Sequence, residues 1–279
     1  MHLIKGLGRG GAENLIPLLV RNGGEQFEYS AGYFLPWKDA LVGELEGLGV
    51  RVHRFSARSA PGVVGTVPKV ARTLRREKVD LVHCHLPVAC VAGRLAGLLA
   101  GVPVVSTEHN LQSRYHALAR AANFATWRFQ ALAIAVSNQV AESIVRHLPG
   151  SVPVKVVHNG IEISTGEDRG RSRREILARL GIPEDAPVVG TVAVFRSQKR
   201  LDRWADTAAL VAASHPSARF LVVGDGPERE NVERWTAERS LSENLIRVGL
   251  VENVWPYLAA MDVFLQSSDF EGLPLAVLE

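Results

Sequence analysis

Short apolar runs alternate with longer helix-patterned stretches along this chain. The alternation restarts after a polar interval, which restricts the fold to two parallel α/β units in series. In the first, strand patterns at Leu3-Ile4, 50–52, 81–83 and 102–106 are interleaved with helix patterns over 12–21, 63–78 and 88–99. A strand over 132–136, a helix over 139–147 and a strand over 154–157 follow, ending in His158-Asn159-Gly160, which reads as a tight turn needing positive φ. After the polar interval come strands over 187–194, 220–223, 245–248 and 263–265, helices over 202–214, 229–240 and 254–260, and a helix beginning near Pro274. The predicted division is a first domain over 1–163, a linker over 164–186 with a short helix at 173–180, and a second domain over 187–279. Two such sheets in series can turn the carboxyl ends of their strands toward a common cleft, where open α/β sheets bind ligands.

Composition narrows the class. At 279 residues, with 47% hydrophobic and 22% charged residues, the chain has the apolar content for two ordinary cores. A net charge of +3 spread among mixed signs does not favour nucleic-acid binding. The one local excess, Arg169, Arg171, Arg173 and Arg174, reads first as a solvated linker. Cys84 and Cys90 lack the spacing of a zinc or redox motif and read as buried thiols suited to a reducing cytoplasm. No secretory signal is recognised at the start, and the most apolar stretch, 88–105, is interrupted by Arg94, Gly101 and Pro103. A cytoplasmic enzyme is expected, with peripheral membrane contact left open.

Candidate site residues cluster after the predicted strands. Gly8-Arg9-Gly10-Gly11-Ala12-Glu13 opens the first helix, where small residues let an anion approach the backbone, although a merely tight turn reads as well. His109 follows the 102–106 strand and can donate a hydrogen bond or move a proton; a structural histidine is the competing reading. His83 and His85 flank Cys84, but no third ligand has suitable local spacing, so packing or loop hydrogen bonding is preferred to metal binding. In the second domain, Arg196 and Lys199 leave the first strand and can clamp a diphosphate, the one by its fork and the other as a point charge. Gly224-Asp225-Gly226-Pro227 forms a sharp turn after a strand. In Glu271-Gly272-Leu273-Pro274-Leu275, Pro274 suits the first turn of a helix that would present amides to an anion, with Glu279 one turn further on.

Taken in order, these motifs resemble the retaining glycosyltransferases of family 4, whose GT-B fold pairs two Rossmann-like domains facing a cleft. The resemblance implies that His109 and Glu271 are the catalytic candidates, His109 near the transferred sugar and Glu271 positioning the donor or stabilising charge. It assigns Gly10 and Gly11 to the donor diphosphate and the acceptor, and Arg196 and Lys199 to the diphosphate. Many members carry the arginine two places earlier, where Val194 stands, so Lys199 is the firmer assignment. Gly224 and Gly226 fall near the nucleoside, Leu250 and Val251 near the base, Gly272, Leu273 and Leu275 at the donor, and Glu279 on the ribose hydroxyls. Asn159-Gly160 matches the usual end of the first domain.

The implied substrate is a nucleoside diphosphate sugar, with a glycan, lipid-linked or small-molecule acceptor. No cofactor or metal is expected, because the basic pair and the amide-rich helix start can stabilise the leaving diphosphate. The family continues beyond the second glutamate, so the second domain is expected to be incomplete. A nucleotide-sugar epimerase of the same fold and a non-catalytic nucleotide-sugar-binding subunit are the alternatives. Acceptor selectivity is expected in loops over 61–68 and 111–120.

Overall fold

Among the described residues every strand pairing is parallel, as the alternation requires. The structure is a computed structural model that describes residues 1–162 and 169–279. It separates into one unit of Met1–Gly160 with Gly272–Pro274 and another of Ile161–Glu271 with Leu275–Glu279.

The first unit runs β1 (His2–Ile4), α1 (Gly11–Asn22), β2 (Ser30–Tyr33), α2 (Val42–Gly47), β3 (Arg51–Arg54), α3 (Ala60–Gly65), α4 (Val67–Arg76), β4 (Val82–His85), α5 (Pro87–Ala100), β5 (Val104–Glu108), α6 (Ala117–Thr126), β6 (Leu132–Ala135), α7 (Asn138–His147) and β7 (Val154–Val156). The sheet order is β3-β2-β1-β4-β5-β6-β7. The chain therefore works outward from β1 to β3 and restarts beside β1 with β4, so the switch point of this sheet lies between β1 and β4. Both faces are covered, as parallel sheets demand. Leu3, Val82, Cys84 and Val104 pack under α4 and α5, while Ile4, Ala31 and Tyr33 pack with Ile16, Leu41 and Leu45. Cys84 and Cys90 are buried and unpaired.

Local chemistry explains the boundaries. Pro87 opens α5 and Gly101, at φ 74°, ends it in the left-handed conformation that glycine accepts most easily. Ser137 caps α7 by accepting from the Val140 amide at 3.3 Å. The single helix expected over 63–78 is broken at Thr66, because Pro68 sits in the first turn of α4 and has no N–H to continue the earlier ladder. Three elements are additional to those expected: β2, α2 and α6. The last occupies part of the region read as an acceptor loop. Asn159-Gly160 is not a positive-φ turn. The chain leaves β7 with ordinary φ values, and Asn159 Nδ2 donates to the Leu273 carbonyl at 3.2 Å.

The second unit runs α8 (Arg169–Leu180), β8 (Val188–Val192), α9 (Leu201–Ser214), β9 (Arg219–Val223), α10 (Arg229–Glu238), β10 (Leu245–Gly249), α11 (Trp255–Ala260), β11 (Val263–Phe264) and α12 (Leu275–Leu278). The sheet order β10-β9-β8-β11 puts the switch point between β8 and β11. Part of the expected linker, 164–168, lies outside the described residues. From Arg169 the chain is helical, one turn earlier than predicted, and Ile176 and Leu177 join the core of this unit with Val188, Leu221, Val223 and Tyr257. Arg173 donates to the Ala260 carbonyl at 2.6 Å and to Asp262 at 3.1 Å, and Arg179 lies over the Tyr257 ring. On the opposite face Trp204 meets Phe220 edge-on and donates to the Leu265 carbonyl at 3.1 Å.

No helix among the described residues is long and apolar enough to cross a membrane.

Candidate active site

In the second unit, the loop after β8 and the segment after β11 are laced together beside the switch point. The Ser267 hydroxyl donates to the carbonyls of Lys199 and Arg200 at 2.8 and 2.9 Å, and the Asp269 amide donates to the Gln198 carbonyl at 2.9 Å. Arg200 takes a left-handed conformation, φ 48°, and binds both Asp202 and Asp269. The framework brings Lys199 Nζ to 2.6 Å from Glu271 Oε1, with both side chains mostly covered. Arg196, three residues earlier, is exposed immediately before the short 3-10 turn Ser197–Lys199. It makes no side-chain bond among the described residues and is free to meet an incoming anion. The Glu279 carboxylate is half-buried with no partner among the described residues, and burial pushes its pKa up.

The predicted anion-binding helix start is smaller than expected. Pro274 precedes the first helical residue, and α12 is a single turn, so its aligned peptide dipoles are few. Gly272 and Leu273 pack with the first unit. A β-carbon on Gly272 would lie 2.1 Å from the His109 carbonyl oxygen, and Leu273 packs on the cluster around Trp127 and Val136. Leu275 remains with Glu279 in the second unit.

The glycines after β9 answer a backbone constraint. Gly224 has φ 128°, and a β-carbon there would lie 1.9 Å from the Ala193 carbonyl oxygen; one on Gly226 would lie 2.6 Å from that of Phe195. Two chain segments leaving adjacent strands touch here main chain to main chain. At the end of β10, Gly249 takes φ 82° and accepts from the Gly224 amide at 2.8 Å, leaving Leu250 exposed and Val251 against the core.

In the first unit, Gly10 precedes α1 with extended backbone, and its amide donates to the Gly8 carbonyl at 3.1 Å; Gly11 is the first helical residue. His109 follows β5 directly. Its Nε2 lies 3.2 Å from His85 Nδ1, and His85 Nε2 lies 3.2 Å from His2 Nδ1. His83 completes the group, with Nε2 at 2.7 Å from Thr107 Oγ1. Burial holds His2 and His85 far below the usual histidine range. It lowers His83 to about 4 and, with help from His83, His109 to about 3. All four rings are therefore neutral near pH 7. Leu86, between His85 and α5, has φ 69° and ψ 146°, a conformation ordinary only for glycine, so the backbone is strained where β4 ends.

Sequence reasoning missed what holds His109 in place. Arg94, read only as an interruption of an apolar run, is fully buried, and Glu108 beside His109 is 1% exposed. Arg94 donates to Gln130 Oε1 at 2.9 Å and to Asn123 Oδ1, stacks over Trp127, and lies 3.8 Å from Glu108 Oε1. Glu108 accepts from Gln112 Nε2 at 2.9 Å and from the Tyr115 hydroxyl at 2.8 Å, which ties down the chain following His109. An arginine within a helix otherwise buried around it was the available signal.

Residues 12–165, more than half of the chain, match the model of Glycosyltransferase Family 4, and residues 172–279 match that of Glycosyl transferases group 1. The chain belongs to glycosyltransferase family 4. Among similar proteins, the UDP-Gal:α-D-GlcNAc-diphosphoundecaprenol α-1,3-galactosyltransferase of Escherichia coli is 28% identical over 226 residues, 75% of this chain and 57% of that protein. The putative glycosyltransferase EpsF of Bacillus subtilis is 26% identical over 302 residues, covering 100% of this chain and 75% of that one. The chain thus spans little more than half the length of the E. coli relative. HepE of Anabaena, solved with UDP and glucose, superposes with a TM-score of 0.82 at 20% identity over 97% of this chain and 75% of its own, which shows the GT-B fold.

Proposed function

We propose that this chain transfers a sugar from a nucleoside diphosphate sugar to a glycan, lipid-linked or small-molecule acceptor with retention of anomeric configuration. The Lys199–Glu271 pair carries the reading. An ammonium and a carboxylate, 72 residues apart in sequence, are held 2.6 Å apart where the β8 and β11 loops diverge. A departing diphosphate gains negative charge as the glycosidic bond breaks. A fixed ammonium, with the exposed Arg196 guanidinium beside it in sequence, stabilises that charge more than it stabilises the bound donor. Glu271 orients the Lys199 ammonium before the donor arrives and is assigned to positioning of the donor sugar. The half-buried, unpartnered Glu279 carboxylate suits a pair of ribose hydroxyls. In the first unit, His109 is assigned to the sugar and Gly10 and Gly11 to the diphosphate and acceptor, by resemblance to the family.

UDP is the natural first probe, since HepE was solved with it. Lys199→Ala in the full chain is expected to weaken UDP binding about 10- to 100-fold by calorimetry, the equivalent of one charge-assisted hydrogen bond of about 1.5–3 kcal/mol. Unchanged affinity in that variant, with wild-type binding established, rules out the diphosphate assignment. Conversion of a donor to its epimer without any acceptor would instead support the epimerase reading.

A further inference from the structure

Four of the histidines of the first unit, His2, His83, His85 and His109, form a group that the sugar-transfer reading uses only at His109. His2 comes from β1, His83 and His85 from β4, and the parallel register sets His2 opposite His83 and Ile4 opposite His85. One nitrogen from each of His2, His83 and His85 lies within 4.8 Å of the other two, and His2 Nδ1 and His85 Nε2 face each other at 3.2 Å. Cys84, between the two β4 histidines, points to the other sheet face, where it packs against Leu3 and Gly93.

We propose that His2, His83 and His85 form a binding site for a borderline-soft divalent transition ion of the Zn²⁺ class, built across the β1/β4 switch point. Three arguments support it. A tetrahedral ion with metal–nitrogen bonds of about 2.0–2.1 Å holds its ligand nitrogens about 3.3–3.4 Å apart, near the observed separation of the His2 and His85 nitrogens. Imidazole is the side chain that suits such ions, and three imidazoles from two adjacent strands converge here. Metal-ligating histidines characteristically engage their second nitrogen in an outer hydrogen bond. His83 has Thr107 at 2.7 Å and His85 has His109 at 3.2 Å. His83 is the least buried of the three. With the ion on Nε2, His85 keeps its proton on Nδ1 and donates it to His109 Nε2, so loading the site would fix the tautomer of His109. The site shares no ligand with the residues assigned to the donor, although His85 contacts His109, and it does not depend on the sugar-transfer reading.

The test uses the full chain, stripped with a chelator and titrated with ZnCl₂ against a chromophoric competitor. One saturable equivalent is expected, and Co²⁺ in its place should give the visible absorption of a tetrahedral ion. His2→Gln, His83→Gln and His85→Gln should each lower affinity more than about 100-fold. Thr107→Val should lower it about 10- to 100-fold, and His215→Gln, on the surface, should leave it unchanged. Should a buried-histidine variant unfold, imidazole ¹⁵N spectra of the wild-type chain decide the matter, because Zn²⁺ must shift the ring nitrogens of His2, His83 and His85 together. Absence of a saturable equivalent, binding unaltered in His2→Gln, or ring nitrogen resonances of His2, His83 and His85 that do not move in excess Zn²⁺ overturns the proposal and leaves the group as a metal-free imidazole chain.

Discussion

Arg94→Met tests whether the buried Arg94–Glu108 network holds the His109 segment. The substitution keeps an unbranched stem of similar length over Trp127 but removes the guanidinium, and with it the bonds to Gln130 and Asn123. Glu108, at 1% exposure, would keep its bonds from Gln112 and Tyr115 yet lose the guanidinium placed 3.8 Å from it. Breaking a buried ion pair from one side costs about 3–5 kcal/mol, because the remaining charge is left uncompensated. For a unit of this size that is a melting decrease of about 6–20 °C. Two units need not unfold in one transition, so the measurement is native-state hydrogen exchange on peptides from β4, α5 and β5. Glu108→Gln alone should cost a comparable amount by stranding Arg94. The double variant Arg94→Met/Glu108→Gln should cost less than the sum of the singles by more than about 1 kcal/mol, since neither charge is then left alone. Additive singles, or a loss below about 1 kcal/mol for Arg94→Met, would refute the argument that the pair acts as a unit.

Gly224→Ala should destabilise the second unit by about 1–3 kcal/mol in urea unfolding, because φ 128° and a β-carbon 1.9 Å from the Ala193 carbonyl oxygen both resist it; a neutral effect contradicts the main-chain contact. Gly272→Ala should displace the His109 main chain, whose carbonyl oxygen would be 2.1 Å from the new methyl group, and shift the His109 ring resonances in NMR spectra. Acid should weaken the first unit before the second. His83 and His109, lowered to about 4 and about 3, stay neutral in the fold while the unfolded chain takes up protons below about 6.5. Stability therefore falls as pH drops from about 6.5 toward 4, with a slope approaching about 1.4 kcal/mol per pH unit for each histidine held neutral. His2 and His85 act in the same sense. Melting curves that are flat in this range would show that the rings protonate in place.

The parts of the fold that were legible in the sequence are those in which pattern and propensity agree. Strands rich in Val, Ile and Leu and helices bounded by Pro87, Gly101 or Ser137 declare themselves locally. Strand β2 does not, because its Ser30-Ala31-Gly32-Tyr33 carries no β-branched residue. The structure gives the reason: a β-carbon on Gly32 would fall 2.7 Å from the Phe55 ring and 2.9 Å from Leu3, so the strand must be small where its neighbours are large. Helix periodicity likewise cannot distinguish a solvated arginine from Arg94, whose partners Asn123, Thr126 and Gln130 lie on other elements. His2 was invisible as a companion of His83 and His85 for the same reason, since metal-site spacing is a local signal and the third imidazole arrives from another strand.

The Lys199–Glu271 pair shows how connectivity brings together side chains that local spacing cannot pair. Strand β8 lies in the interior of its sheet, with β9 on one side and β11 on the other. The chain leaves β8 through Lys199, passes through β9 and β10 on one flank, and returns on the opposite flank of β8 before reaching Glu271. Because the strands are parallel, the loops after β8 and β11 emerge at the same sheet edge and diverge there, and the bonds from Ser267 and Asp269 draw them together again. The pairing thus depends on the β8/β11 register more than on either residue's helix or strand propensity. In the first sheet the same logic brings His2 of β1 beside His83 of β4. Each unit therefore concentrates its unusual side chains at the place where its strand order reverses, and each does so with residues far apart in sequence.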